Sequence, residues 1–433
     1  MSAEQSSAAA RDGDPVLAAR RTILILLTLL SAFNHLDRQL VAIVLEPIRE
    51  EFRLTDLQLG LLSGLAFAAL YTTLSIPAAL WAVRHSRVRL VTAAALVWGA
   101  MTAAAGFVQN FAQLLLTRIG VGIGEAGYLP AAHGIISSLY RPGERATALA
   151  ILSAGVNGGI FLAFLFGGVV SQFYGWRMAF VLSGLATVLL AILFGLLASE
   201  PSRTPSPHDL APVPPPEASA FWATLGVMVR DPVLRNVTIA AMLTSTVVYG
   251  ALSWLPSYLI RSHGFSLTAA GVYLALIIGI GGAIGTWLGG HFSDRLGRID
   301  LRWSLWFVAA AYLFTKPLAI GFFLVDNAAL ALILFVLPAM TGAMFVGPSV
   351  ATLHARIFTD HRPVASALFL FLTSFIGIGL SPVLTGGLSQ FVFAGAGEDS
   401  LRYALVATQI LGLWGVWHFF RAGSALVLRP APA

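Results

Sequence analysis

The chain has 433 residues, 57% of them hydrophobic and only 11% charged, with a mean hydropathy of +0.82. Soluble domains carry about 25% charged residues, so this composition excludes a water-soluble globular protein and asks for lipid as solvent. There is no cysteine, which excludes disulfides, thiolate metal sites and thiol catalysis. The formal charge of +6 does not point to nucleic acid, because the arginines stand singly or in pairs at the ends of apolar runs, as topology signals do.

Residues 1–19 read as a disordered cytoplasmic tail: the start is Ala/Ser-rich and carries Glu4, Asp12 and Asp14, unlike the basic start and short apolar core of a secretory signal. Apolar runs long enough to span a bilayer follow at 22–45, 57–83, 90–108, 112–139, 146–173 and 178–198. A second set lies at 237–260, 269–292, 303–325, 328–357, 365–393 and 403–420. The expected fold is therefore an all-α membrane protein with twelve transmembrane helices in two pseudo-symmetric six-helix bundles, 20–199 and 233–425. Between them, 200–232 reads as a cytoplasmic linker: seven prolines fall in 199–220, and 221–230 suits a short interfacial helix. A C-terminal tail covers 426–433.

With both termini inside, 18 of the 26 basic residues fall on the cytoplasmic side and 5 outside, which sets the orientation by the positive-inside rule and places the chain in a cell (inner) membrane. The halves echo one another. Gly60 to Arg84 spans the same 24 residues as Gly271 to Arg295, and Pro130 to Tyr140 matches Pro348 to Phe358. Two six-helix repeats around a site near the membrane midplane form a transporter plan.

Of the twenty acids, only Asp37 and Glu125 lie well inside expected spans. Asp37 belongs to a polar run, Asn34, His35, Leu36, Asp37 and Arg38, near the middle of the first helix. Glu125 follows Arg118 by two turns of the fourth helix, so the two share a face. Each central charge costs about 2.5–3.5 kcal/mol to insert, tolerable where the groups pair or face a wet cavity. These four read as proton-coupling or gating residues, with a set of purely structural ion pairs as the bland alternative. Glu125 is the better proton carrier, having no cation adjacent on its own helix. Asp37 and Arg38 point about 100° apart and need not pair. His35 titrates near neutrality and is a candidate relay. Lys316, the one lysine, lies deep in the ninth span before Pro317 and reads as a snorkelling side chain or the partner of a freed carbonyl. Tyr249, Ser253 and Trp254 of the seventh span are expected to line a cavity opposite the first helix. A wall charged on one side and aromatic on the other suits an amphipathic substrate.

At these residues the chain resembles the major facilitator superfamily, and within it the Spinster lipid-transporter branch. Gly290, Asp294, Arg295, Gly297 and Arg298 match the superfamily's cytoplasmic turn after the eighth helix. Arg118, Gly122, Gly124, Glu125 and Ala126, with Asn34, Asp37 and Arg38, look like the Spinster signatures of helices four and one. The first-half turn departs from the pattern: Val83 precedes Arg84 where the family has aspartate, and Ser86 replaces glycine. Gly155, Asn157, Gly158 and Gly159 match the superfamily's antiporter motif without its proline. The resemblance implies that Asp37, Arg38, Arg118 and Glu125 line a central cavity, to which Asn34, Tyr128 and Asn157 are added as wall residues. It implies alternating access and sphingolipid or lysophospholipid substrates. The expected function is thus a proton-coupled or proton-gated secondary transporter of lysolipids, sphingolipids or similar amphiphiles, monomeric, surrounded by membrane lipids and without a cofactor, bound metal or nucleic-acid partner. A multidrug exporter and an organic-anion or sugar carrier of the same fold are the alternatives. With no phosphate loop, metal cluster or G-x-S-x-G, the chain is not expected to be an enzyme.

Overall fold

A computed structural model describes residues 15–201, 218–358 and 361–428, and within them the chain is helical throughout apart from short connections. The helix α1 (Pro15–Ile43) begins inside the segment expected as a tail, and a short helix α2 (Leu45–Phe52) follows it. Next come α3 (Asp56–Arg84), α4 (Arg87–Ala105), α5 (Phe111–Glu125), α6 (Tyr128–Leu139), α7 (Pro142–Tyr174) and α8 (Trp176–Leu197). After the linker lie α9 (Ala218–Arg230), α10 (Pro232–His263), α11 (Leu267–Ile299) and α12 (Leu301–Leu324). The chain closes with α13 (Ala328–Arg356), α14 (Val364–Val392) and α15 (Ser400–Leu428). The helix expected at 221–230 falls within α9; the rest of the linker, 202–217, and the tail segments 1–14 and 429–433 lie outside the described residues.

The helix starts follow from local chemistry. Thr55, Ser86, Asn110, Asp231, Ser266 and Asp300 each place a side-chain oxygen on an amide of the turn they open, satisfying donors that the helix leaves free. Thr55 and Gln58 complete a reciprocal capping box.

Ten helices among the described residues are long and apolar enough to cross a membrane, against the twelve expected. The two expected spans that fall short are those carrying the buried charges. Helix α1 is continuous over 29 residues, but its polar run lowers its hydropathy. The span expected at 112–139 is broken into α5 and α6 at Ala126 and Gly127. Pro130 explains the break: its ring collides with the carbonyl four residues back, that of Ala126, and it has no N–H to offer. Its repeat partner Pro348 does the same in α13, where the helix opens over 342–345.

Glycines set the closest crossings. A Cβ on Gly122 would lie 2.5 Å from Phe67 O, and one on Gly124 would lie 2.6 Å from Trp98 N, so α5 rests on the backbones of α3 and α4. Where α3 meets α14, Gly64 and Gly60 come equally close to the carbonyls of Gly379 and Pro382. Both helices widen there into π-turns, Leu61–Leu65 and Phe375–Leu380. Helix α11 has a third, Ala275–Ile280, against Phe161 of α7, and α14 a fourth, Leu388–Val392.

The buried apolar side chains form three clusters. One joins α1, α7 and α8 to α10, α11, α12 and α15 at the end away from the linker. The other two lie at the linker end and stay apart: one draws on residues 23–198, the other on 228–422. Thus the molecule is knitted across at one end and divided at the other.

One expectation fails locally. Asp294, Arg295, Gly297 and Arg298 do not form a turn; α11 runs through them to Ile299, and the chain turns at Asp300, whose carboxylate accepts from Arg302 N at 3.0 Å. Asp294, Arg295 and Arg298 are exposed. Arg84 closes α3, and the departing turn beyond it is occupied by another acid. Glu200, at the start of the linker, accepts from Ser86 Oγ (2.6 Å) and from the amides of Arg87 (3.1 Å) and Val88 (3.0 Å).

Candidate functional site

The polar run of α1 distributes its side chains to different neighbours, as consecutive helical residues must. Asp37 is fully buried and turns towards α4 and α8. Thr102 Oγ1 donates to its Oδ2 at 3.2 Å, and Ser183 Oγ donates to its Oδ1. Arg38 turns instead towards α5 and α3. Its Nε donates to Glu125 Oε2 at 2.6 Å, and its guanidinium lies 4.3 Å from the Tyr71 ring centre and 4.8 Å from that of Phe67. The side chain of Glu125 is fully buried, so this is an ion pair shielded from water on the acid's side and packed on aromatic faces on the base's.

Arg118 is different. It is 2% exposed, yet its Nε and Nη1 have no hydrogen-bond partner. It sits 5.6 Å from the Phe67 ring centre and no ion pair holds it among the described residues, although Glu125 lies on its own helix face. Buried polar groups are nearly always satisfied, so two free N–H groups on one guanidinium mark a place for an acceptor.

These groups meet at a cavity of about 110 Å³ lined by His35, Arg38, Phe67, Arg118, Tyr249 and Ser253, among others. His35 Nδ1 donates to Ser31 O at 3.0 Å, which turns the rest of the ring to the cavity wall. Neither Asp37 nor Glu125 is part of that wall: one is covered by hydroxyls, the other by Arg38. The charged lining is therefore basic.

Several sequence candidates lie elsewhere. Trp254 is fully buried and donates from Nε1 to Pro382 O at 3.0 Å, bracing α10 against α14 and not facing the cavity. Tyr128 donates to Leu27 O at 2.5 Å and meets Trp98 edge to face, so it fastens α6 to α1. Asn34 is buried beside Glu125. Asn157 is half-buried on α7, outside the cavity lining. Lys316 does not snorkel: it is buried and donates to Gln409 Oε1 at 2.9 Å, joining α12 to α15. Sequence reasoning missed Phe67, Tyr71, Thr102 and Ser183. For the first two a signal existed: they stand four apart on one helix face and their rings stack at 5.1 Å. Among the described residues no group of three His, Asp or Glu side chains is placed to hold a metal ion.

A second, larger cavity, about 470 Å³, lies at the opposite end from the linker, lined by Arg49, Asp56, Arg261, Ser389, Gln390 and Glu398, among others.

Comparison with known proteins fits this geometry into a lineage. The family model for the Major Facilitator Superfamily matches residues 27–382. The chain belongs to that superfamily. Among superfamily relatives, it is 32% identical over 395 residues to an MFS-type efflux pump of Mycolicibacterium smegmatis, covering 90% of each chain. It is 27% identical to protein spinster homolog 1 of Homo sapiens, covering 85% of this chain and 72% of that one. Its fold is similar to the crystal structure of a bacterial homolog of the human lysosomal transporter Spinster in an inward-facing, unoccupied conformation. That likeness has a TM-score of 0.83 and 28% identity, and covers 96% of this chain and 99% of the other. This superfamily chain thus resembles the Spinster branch in both sequence and structure, and its work is membrane transport of a small organic solute, not catalysis.

Proposed function

We propose that the chain is a proton-coupled secondary transporter of amphiphiles that carry an anionic head and an apolar tail, lysolipids or related sphingolipids, working as a single chain by alternating access. The observation that carries the reading is Arg118: a buried guanidinium with two unpartnered N–H groups at a cavity whose other walls are Phe67, Tyr249 and the Arg38 cation. A phosphate or carboxylate matches a guanidinium in two-point geometry, and the aromatic faces suit the adjoining apolar chain. Glu125 takes the proton in this reading. Protonating it would release Arg38, giving the cavity a second free guanidinium, so proton binding and anion binding assist each other.

The rest of the expected architecture belongs to the same proposal. The twelve spans comprise the ten helices above with α1 and the α5–α6 pair, divided as 20–199 and 233–425 with 200–232 as linker. The positive-inside count places the termini and linker in the cytoplasm of a bacterial cell. The division of the apolar core at the linker end then supports an inward-open state, in keeping with the inward-facing structure it resembles.

The second reading, a drug exporter, is favoured by the efflux pump among its relatives. A cationic drug needs an acid on the cavity wall, and here both acids are covered. The test is uptake into proteoliposomes under an imposed pH gradient, offering a lysophospholipid, a sphingoid base and a cationic dye. Wild type should concentrate the lysophospholipid; Glu125→Gln should exchange it without concentrating it; Arg118→Met should do neither. Transport of the dye alone, indifferent to Arg118→Met, would sink the proposal.

A further inference from the structure

The division of the core at one end requires that the other end be held shut, and what holds it is unevenly built. Two glutamines do the same job on opposite sides of the molecule. Gln172, near the end of α7, accepts from Leu267 N at the start of α11 at 3.0 Å. Gln390, near the end of α14, accepts from Leu57 N at the start of α3 at 3.1 Å. Both amides lie in a first helical turn, where no carbonyl of their own helix reaches them. The two glutamines stand 218 residues apart and the two leucines 210, so the clips follow the internal repeat. Each ties residues of 20–199 to residues of 233–425.

The symmetry ends there. Beside the α3/α14 clip, Arg261 at the end of α10 is paired with Glu46 (2.8 Å) and Asp56 (2.9 Å), and Ser389 Oγ donates to Asp56 at 2.6 Å. Arg261 and Asp56 keep only 12% and 10% of their side-chain surface in contact with solvent, so water screens this bridge weakly. Beside the α7/α11 clip, no ion pair joins the two helices among the described residues; Thr268 Oγ1 lies 3.5 Å from Gly168 O, and the Gln172 bond itself is exposed.

We infer that the end away from the linker, the outer end in the orientation proposed above, opens first along the α7/α11 seam, with the Arg261–Glu46–Asp56 bridge keeping α3 and α14 together as the hinge side. The inference rests on alternating access and on that orientation, but on neither the substrate nor the proton. The glutamine clips supply the same closing force on both sides; the ionic bridge makes the difference.

The chain has no native cysteine, so a single reporter, Ser253→Cys in the central cavity, reads opening without background. Its labelling by a membrane-impermeant maleimide added outside intact cells measures the outer-open population. Gln172→Leu should raise the labelling rate about five-fold, the weight of one hydrogen bond of ordinary net strength. Gln390→Leu should change it less than two-fold while Arg261 is present, and should match Gln172→Leu only once Arg261→Gln is added. Gln172→Asn and Gln390→Asn, which keep the amide and shorten its reach, should keep the same order if the leucine variants fold poorly. Labelling by a permeant maleimide, equal in all variants, checks the fold. Equal effects of Gln172→Leu and Gln390→Leu with Arg261 intact, or no effect of either, would overturn the inference. Because labelling needs no substrate or pH gradient, a wrong substrate assignment leaves the result unchanged.

Discussion

Removing one member of the Arg38–Glu125 pair should hurt far more than removing both. The pair is 2.6 Å long, with side-chain exposures of 14% and 0%. Breaking a buried ion pair from one side costs about 3–5 kcal/mol, whereas replacing both members by neutral groups is often close to neutral. In Glu125→Gln the stranded guanidinium keeps its contacts with Tyr71 and Phe67, which recover about 1 kcal/mol, leaving a loss of about 2–4 kcal/mol. Arg38→Met strands a carboxylate with no exposed surface and should lose about 3–5 kcal/mol. The double variant should lose about 0–2 kcal/mol, so the coupling between the sites is about 3 kcal/mol or more. Thermal unfolding of the four purified proteins in one detergent, followed by tryptophan fluorescence, reads this as a double variant that melts above at least one single variant. Asp37→Asn serves as the contrast: its carboxylate is held by Thr102 and Ser183, so its effect should add to that of Arg38→Met. Melting losses that simply add for Glu125→Gln and Arg38→Met would refute the reasoning.

Two further outcomes follow from the packing and the linker anchor. Gly122→Ala and Gly124→Ala each push a methyl into backbone atoms that cannot swing aside, and should cost about 1–3 kcal/mol and lower the yield of monodisperse protein. Gly158→Ala, with open space around it, should be silent. At Glu200, burial pushes the carboxyl up, but the Ser86 hydroxyl, the Val88 and Arg87 amides and the Arg87 charge outweigh it and hold the group below its ordinary value. Its hold on α4 is therefore complete above the ordinary glutamate range and is lost as the pH falls through the lowered value. Glu200→Ala should cost about 1 kcal/mol, as loss of a helix cap does, and should speed hydrogen exchange at the Arg87 and Val88 amides; unchanged exchange would contradict the anchor.

The membrane-spanning character and the main helix boundaries were legible because the apolar runs are long and their caps conventional. The two runs that fail a hydropathy test in the structure are those the functional residues occupy, and this is the same fact seen twice: Asp37 with Arg38 in α1, and the Gly-rich stretch ending at Pro130 across α5 and α6. That Asp37 and Arg38 part company was readable from helical geometry alone. That Glu125 would choose Arg38 over Arg118 was not, since the choice depends on which helix crosses where. Trp254 and Tyr128 show the same limit: an aromatic residue at a cavity and one bonded to a neighbouring carbonyl have identical signatures in a single sequence. Thr102 and Ser183 carried no signal, because hydroxyls in membrane helices usually bond their own backbone. The motif at Asp294 was located correctly but read as a turn, since the matching residues say nothing about where the helix stops.

The π-turns have a consequence for how such a chain can vary in length. Each holds one residue more than an α-helical turn needs. A single deletion within Leu61–Leu65 would restore regular helix without unravelling it, but would rotate everything beyond by about 100°. Phe67 and Tyr71 would then swing off Arg38 while Asp56 and the outer seam stayed in place. These segments are therefore where the loss of one codon would alter what the cavity binds while leaving the span across the bilayer intact.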